Sequence, residues 1–322
     1  MDKKLAASLG LSAFLIVFFA LILGMLNFSG KDLSLHQKEK RPLLGAVYMT
    51  LNNPFYQVID NEIRSRIDGH NFVLLSRNPA LNPESQIEEV NELIQRHVKV
   101  IFLNPVNPEK IEPALLAAKK AGIPVIAIDT NVANDELVTS TIVSDNFMAG
   151  YQCGQHLTEH FAGGRIALLT HSQAQSAKDR IDGFLAAIEN HPAFEIVDQE
   201  DCLGQLELAM PATEKMLRRH PEINVIMALN DPAALGAAAA LQDAGKLSGT
   251  AIYGVDGSPE AKDMIARGII TASAGQQPRK MGEQAVATAV ALLSGQQPEK
   301  LIKLPTVLLT KENVDQLGSI VY

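Results

Sequence analysis

Residues 98–130 run VKVIFLNPVNPEKIEPALLAAKKAGIPVIAIDT, and their reading decides the fold. Val98 to Leu103 is short, apolar and rich in β-branched residues, as a buried strand is. Residues 108–121 then place apolar side chains at helical spacing, and Gly122 stands where a helix end favours a left-handed residue. Pro124 to Asp129 is a second apolar run, and it ends in a carboxylate. Strand, helix, strand in one short stretch is a βαβ unit, whose right-handed crossover makes the two strands parallel.

The alternation continues in both directions. Upstream, strands are predicted over 43–49 and 72–75, with helices over 55–67 and 84–96. Downstream, strands are predicted over 165–169, 194–197, 225–228 and 251–255, and an alanine-rich helix over 231–244. The pattern gives an α/β fold of two similar halves, each a parallel sheet flanked by helices. They join near Ser144-Asp145-Asn146, with a cleft between them. In open sheets of this kind ligands bind outside the carboxyl ends of the strands. Polar motifs stand at those ends: Asn52-Asn53-Pro54-Phe55-Tyr56, Ile128-Asp129-Thr130, Asp179-Arg180 through Phe184, Asn230-Asp231, Val255-Asp256-Gly257 and Gln276-Gln277-Pro278. Carboxylates, amides, one guanidinium and aromatic rings are what a polyhydroxylated neutral ligand needs.

The bulk numbers narrow the classes. At 322 residues, 47% of them hydrophobic, the chain can build two lobes with real cores. Thirty-six acidic against 28 basic residues leave a formal charge of −8, which argues against a nucleic-acid partner. The two cysteines, Cys153 and Cys202, show no metal spacing; they read as two buried thiols, or as a disulfide outside the cytoplasm. Lys3 and Lys4 precede an uncharged apolar run from about Ala6 to Phe28, long enough to span a bilayer as a helix. The lysines favour a cytoplasmic N-terminus and an exported body. The run ends without an A-x-A-like site, so residues 1–30 read as an uncleaved membrane anchor, with a cleaved signal peptide as the alternative. Residues 31–42 read as a tether.

Several residues have competing readings. Asp129 is either a ligand group or a cap of the next segment, and Asp231 reads as the cap of its helix. Arg180 lies early in a helix, where a cation opposes the dipole. Either a ligand or an ion pair with Asp179 or Asp182 accounts for it. Of Phe55 and Tyr56, adjacent on a helix, one is expected in the core. Gln276 is a ligand group or a hinge residue. His171 reads as a surface residue. His156-Leu157-Thr158-Glu159-His160 fits a zinc pattern, H-x-x-E-H, but no third ligand is identifiable, so it reads as a solvated helix face. No hydrolase elbow, phosphate loop or calcium loop occurs, so no enzyme, cofactor or metal is expected.

The ordered set of motifs resembles the type I periplasmic sugar-binding proteins, especially those of the ribose-binding kind, over residues 44–307. The motifs are Thr50 through Tyr56, Ile123-Pro124-Val125-Ile126, Ser144-Asp145-Asn146, Arg180 with Gly183-Phe184, Asn230-Asp231 with Ala234-Leu235-Gly236, Val255-Asp256-Gly257, and Gln276 with Pro278. The same fold carries the ligand domain of LacI-type repressors, but a membrane segment stands where a DNA-binding segment would be. The resemblance implies a two-lobed fold, with one lobe over 43–144 plus 277–305 and the other over 145–276 plus 306–322. It implies ligand-binding residues Asn53, Phe55, Tyr56 and Asp129 on one wall, and Arg180, Asn230, Asp256 and Gln276 on the other side or at the hinge. It also implies an extracytoplasmic protein that delivers a monosaccharide-type sugar to the permease of an ABC importer. A sensory role, with a chemoreceptor or sensor kinase as partner, is the alternative. Two positions depart from the ribose-binding pattern: Thr130 replaces an arginine, and Gly204 falls where an aromatic residue is expected.

Overall fold

A computed structural model of the protein describes residues 41–322. The expected anchor (1–30) and nearly all of the expected tether lie outside the described residues. Among the described residues no helix is long and apolar enough to cross a membrane.

The strands form two six-stranded sheets. The first contains β1 (Leu43–Val47), β2 (Val73–Arg77), β3 (Ile101–Leu103), β4 (Val125–Ile128), β5 (Ser140–Ser144) and β11 (Leu301–Leu304), in the order β11-β5-β4-β3-β1-β2. All its pairs are parallel. The second contains β6 (Gly164–Thr170), β7 (Phe194–Asp201), β8 (Val225–Ala228), β9 (Ala251–Asp256), β10 (Ala272–Gly275) and β12 (Val307–Thr310), in the order β12-β10-β9-β8-β6-β7. Only β12 runs antiparallel to its neighbour. Helices cover both faces, so β4, β8 and β9 are buried throughout and read as unbroken apolar runs.

The helices, in chain order, are α1 (Pro54–Asp68), α2 (Pro83–Gln95), α3 (Glu112–Lys120), α4 (Asn146–His160), α5 (Gln175–Ile188), α6 (Leu206–Arg219), α7 (Asp231–Asp243), α8 (Pro259–Ala266), α9 (Pro278–Leu293) and α10 (Val314–Leu317). α3 starts later than the expected Pro108. The Asn107 side chain accepts from the backbone N–H groups of Glu109 and Lys110 and holds a turn there instead. Gly122 adopts φ +69 just past the end of α3, as its position suggests. β7 runs four residues beyond the expected Val197, after a register shift against β6 between Ile166 and Ala167.

The chain crosses between the sheets three times: from β5 into α4, from β10 into α9, and from β11 into β12. These crossings leave neighbouring strands, since Ser144 pairs with Leu304 and Gly275 with Val307. They are also bonded to one another, with Gln277 donating to the Pro305 carbonyl and Gln152 to that of Thr306.

α4 and α5 pack at unusually close range. A Cβ on Gly150 would fall 1.7 Å from the Arg180 carbonyl oxygen, and one on Gly183 would fall 1.9 Å from that of Phe147. The contact is backbone against backbone, so no side chain can yield. Gly150→Ala is therefore expected to force the two helices apart and to cost about 1–3 kcal/mol of stability. Urea unfolding reads this directly, and an unchanged midpoint would show that the helices separate freely.

Candidate functional site

The carboxyl ends of both sheets face one narrow cleft. All eight residues predicted from the sequence line it. On the first-sheet side, the Asn53 side chain caps α1 by accepting from the Phe55 N–H at 2.9 Å, and Pro54 occupies the first helical position. This fixes Phe55 and Tyr56 in the first turn. Both are buried and both line the cleft, where only one was expected to be core. The turn emerges where the core meets the cleft, so adjacent residues face protein on both sides. Their rings meet edge to face at 5.5 Å.

Asp129 follows β4 with φ +69, and Asp256 ends β9 with φ +136. Such backbone is strained for a residue with a Cβ, and it persists where surrounding structure enforces it. The Asp129 Oδ2 atom accepts from the Tyr56 hydroxyl (3.1 Å) and from Asn104 Nδ2 (3.3 Å). Its Oδ1 atom has no hydrogen-bond partner. The Asp256 Oδ1 atom accepts from Gln276 Nε2 at 2.7 Å, which leaves Gln276 Oε1 unpartnered.

Arg180 stands between these two carboxylates. Its Nη2 is 3.8 Å from Asp129 Oδ1 and its Nη1 is 3.7 Å from Asp256 Oδ1. Asn146 Oδ1 accepts from Nε at 2.8 Å, and the Leu229 carbonyl accepts from Nη1 at 3.0 Å. One ion partner, Asp129, thus lies across the cleft, and the other, Asp256, stands on the same side as Arg180. Asp179 and Asp182 are not among them; Asp179 accepts from Gln175 instead. Arg180 is the buried guanidinium beside two buried carboxylates, Asp129 and Asp256, and the buried Asp231 acts on Asp256 in turn. Burial pushes Asp129 up, and Arg180 opposes it. Burial and the nearby Asp231 push Asp256 well up, again against Arg180.

Asn230, not Asp231, caps α7. Its side chain accepts from the Ala233 N–H and donates to the Gly204 carbonyl. Asp231 is the first helical residue, and its carboxylate accepts from the Ser258 N–H (2.7 Å) and the Ser273 hydroxyl (2.6 Å). It is tied to the cap of α8 and to strand β10 rather than to its own helix.

His171 is buried and lines the cleft, not the surface. Burial lowers its imidazole, which keeps it neutral. Its place directly after β6 was a signal in the sequence. The same rule points to Asn104, one residue past β3, whose carboxamide orients Asp129. Asn146 aims Arg180 from the first residue of α4 and carries no such signal.

The two departures have physical accounts. The Thr130 hydroxyl bonds Ser176 on α5, so it spans from the first-sheet side to the second. Gly204 adopts φ +65, and a Cβ there would fall 2.8 Å from Asn230 Nδ2. An aromatic side chain does not fit this backbone.

Cys153 and Cys202 are both free and buried, and no disulfide forms. Burial pushes their thiols up to about 12 and about 11. His156 is half-buried rather than solvated. Its ring bonds the Tyr253 hydroxyl at 3.0 Å and stacks on His160 at 4.0 Å. No group of three or more His, Cys, Asp or Glu side chains able to hold a metal occurs among the described residues.

The family model of the periplasmic binding protein domain matches residues 44–297. The ribose import binding protein RbsB of Escherichia coli (strain K12) is 30% identical over 274 residues, covering 84% of this chain and 90% of that protein. The D-apiose import binding protein of Paraburkholderia graminis is 28% identical over 282 residues, covering 85% and 89%. Among solved structures, an ABC transporter solute binding protein from Agrobacterium vitis with bound D-fucose superposes with a TM-score of 0.82. It is 26% identical, and the match covers 87% of this chain and 99% of that one.

Asp231 gives the fold a definite pH dependence. Burial raises its carboxyl to about 6 in the folded protein, above the usual aspartate value near about 4. Its contribution is therefore fully present below about pH 4 and is lost as pH rises through about 6. The stability of wild type relative to Asp231→Asn should fall across that window in urea titrations, and a flat difference would show that another group titrates.

Proposed function

The chain belongs to the periplasmic binding protein family, and on that premise we propose that it binds a monosaccharide-type sugar in the interlobe cleft and hands it to an ABC importer. The observation that carries this reading is the pair of buried, unpartnered acceptors, Asp129 Oδ1 and Gln276 Oε1, facing a cleft that also holds Arg180. A buried acceptor left unmade costs about 1–3 kcal/mol, so the cleft favours a ligand that brings hydroxyl donors. Arg180 supplies the complementary donors, and Phe55 and Tyr56 offer aromatic surface for the C–H faces of a ring. The binding residues in this reading are Asn53, Phe55, Tyr56, Asp129, Arg180, Asn230, Asp256 and Gln276, with His171 added from the structure.

The sugar need not be ribose, although a relative is a ribose import protein by name. Thr130 is engaged with Ser176, and Gly204 offers no stacking surface. The ring is held by one aromatic wall and one guanidinium. In the same reading, lobes of 43–144 plus 277–305 and 145–276 plus 306–322 close on the ligand. The apolar run within residues 1–30 anchors the body on the outer face of a membrane and keeps it beside its permease.

A thermal-shift screen of the protein against pentoses, hexoses and polyols tests this. A ligand at 100 times its Kd should add about 2.7 kcal/mol of stability. Asp256→Ala, which removes a carboxylate and frees Gln276, should weaken that ligand by about 10- to 100-fold while the variant still unfolds cooperatively. Stabilisation by no sugar in the panel, or unchanged affinity in the variant, counts against the proposal.

A further inference from the structure

A second cavity of about 320 Å³ adjoins the cleft. The two spaces share Asn53, Gly204, Gln205 and Asp256 as lining. Beyond that boundary the walls change character. Pro54 comes from the first-sheet lobe, Leu206 from the start of α6, Pro232 and Leu235 from α7, and Tyr322 from the end of the chain. The surface they present is mainly apolar. Leu206 is 45% exposed, a large aliphatic side chain left open at the mouth of a binding cleft.

Gly204 lies on the boundary between the two spaces. Its backbone is left-handed and a Cβ would strike Asn230, so this position adds no side chain of its own to the boundary. Tyr322 is held in place as a wall. Its N–H donates to the Gln276 carbonyl at 3.1 Å, and its ring centre lies 6.2 Å from that of Phe55. Along one edge Asn52 joins the lobes, donating to Gln205 Oε1 (2.8 Å) and Glu207 Oε1 (3.1 Å). The second cavity is therefore built by both lobes, as the first one is.

We propose that the ligand is a sugar carrying an apolar substituent, with the ring in the polar cleft and the substituent passing Gly204 into this annex; the class is an aryl or alkyl glycoside. The proposal rests on the reading of the cleft as a sugar site. Polarity selects the occupant. A second sugar ring would set its hydroxyls against a surface that is mainly apolar, whose polar groups beyond the boundary are Asn52, Glu207, Ser258 and Glu260, with Glu207 already accepting from Asn52. An apolar group instead gains from leaving water against Leu206, Leu235, Pro232 and the Tyr322 ring.

Isothermal titration of the full-length protein with D-ribose, D-allose, D-fucose, D-galactose and D-glucose, each also as methyl and phenyl glycoside, tests this. For at least one sugar the phenyl glycoside should bind about tenfold tighter than the methyl glycoside. Leu206→Asp should remove that gap while leaving the free sugar unchanged. The new carboxylate sits in the first turn of an exposed helix end, where it suits the helix dipole. Phenyl glycosides that bind no tighter than methyl ones, or a gap that survives Leu206→Asp, would overturn the proposal. Free sugars that bind while phenyl glycosides are excluded would overturn it and leave the cleft reading standing. If no free sugar and no glycoside binds, both readings fail together.

Discussion

The Arg180 guanidinium, suspended between carboxylates from opposite sheets, is the interaction on which the rest of the molecule turns. Its separations from Asp129 and Asp256, 3.8 and 3.7 Å, are ion-pair distances too long for hydrogen bonds. Arg180 faces one buried carboxylate from each sheet, and burial pushes both upward, so holding them ionised out of water is costly. That state is expensive at neutral pH, and two things relieve it. Opening returns the carboxylates to solvent. A polyhydroxylated ligand places donors on them without adding charge. Closure and occupancy are thereby coupled through the desolvation of the same groups.

The scaffold serves that arrangement. Asn146 and the Leu229 carbonyl hold Arg180 from its own side, and the close α4–α5 contact fixes the backbone that carries it. Asn104 and Tyr56 hold Asp129 from the other side. Gln276 holds Asp256 from a segment where the chain passes between the lobes. Each charged group is oriented by a neutral amide or hydroxyl, while the ions around it set its ionisation.

Much of this was legible in the sequence because parallel strands buried on both faces are unbroken apolar runs, and because such sheets present their ligand groups at strand ends. β4, β8 and β9 were read close to their ends for that reason. β10 escaped notice since Ala272-Ser273-Ala274-Gly275 has neither bulk nor branching. It lies under Val321, where a Cβ on Gly275 would come within 3.0 Å of the valine side chain. β5 and β11 were missed as well, one laced with serine and threonine, the other a half-exposed edge. At the site, strand-end position identified the aspartates, but the sequence reading gave the cap to Asp231, where Asn230 takes it. Two adjacent residues compete for that place, and tertiary bonds to Ser258 and Ser273 decide it. His171 was misjudged because a lone histidine gives no periodic signal of burial.

The three crossings between the sheets also have a mechanical consequence. Two bodies joined by a single strand would swivel, bend and twist about it. Here all three connections leave the same edge of each sheet and are bonded to one another. Sliding and twisting would stretch one connection against the others, so a single soft rotation is left. A protein docked across both lobes therefore needs to measure only one angle to know whether the cleft is filled.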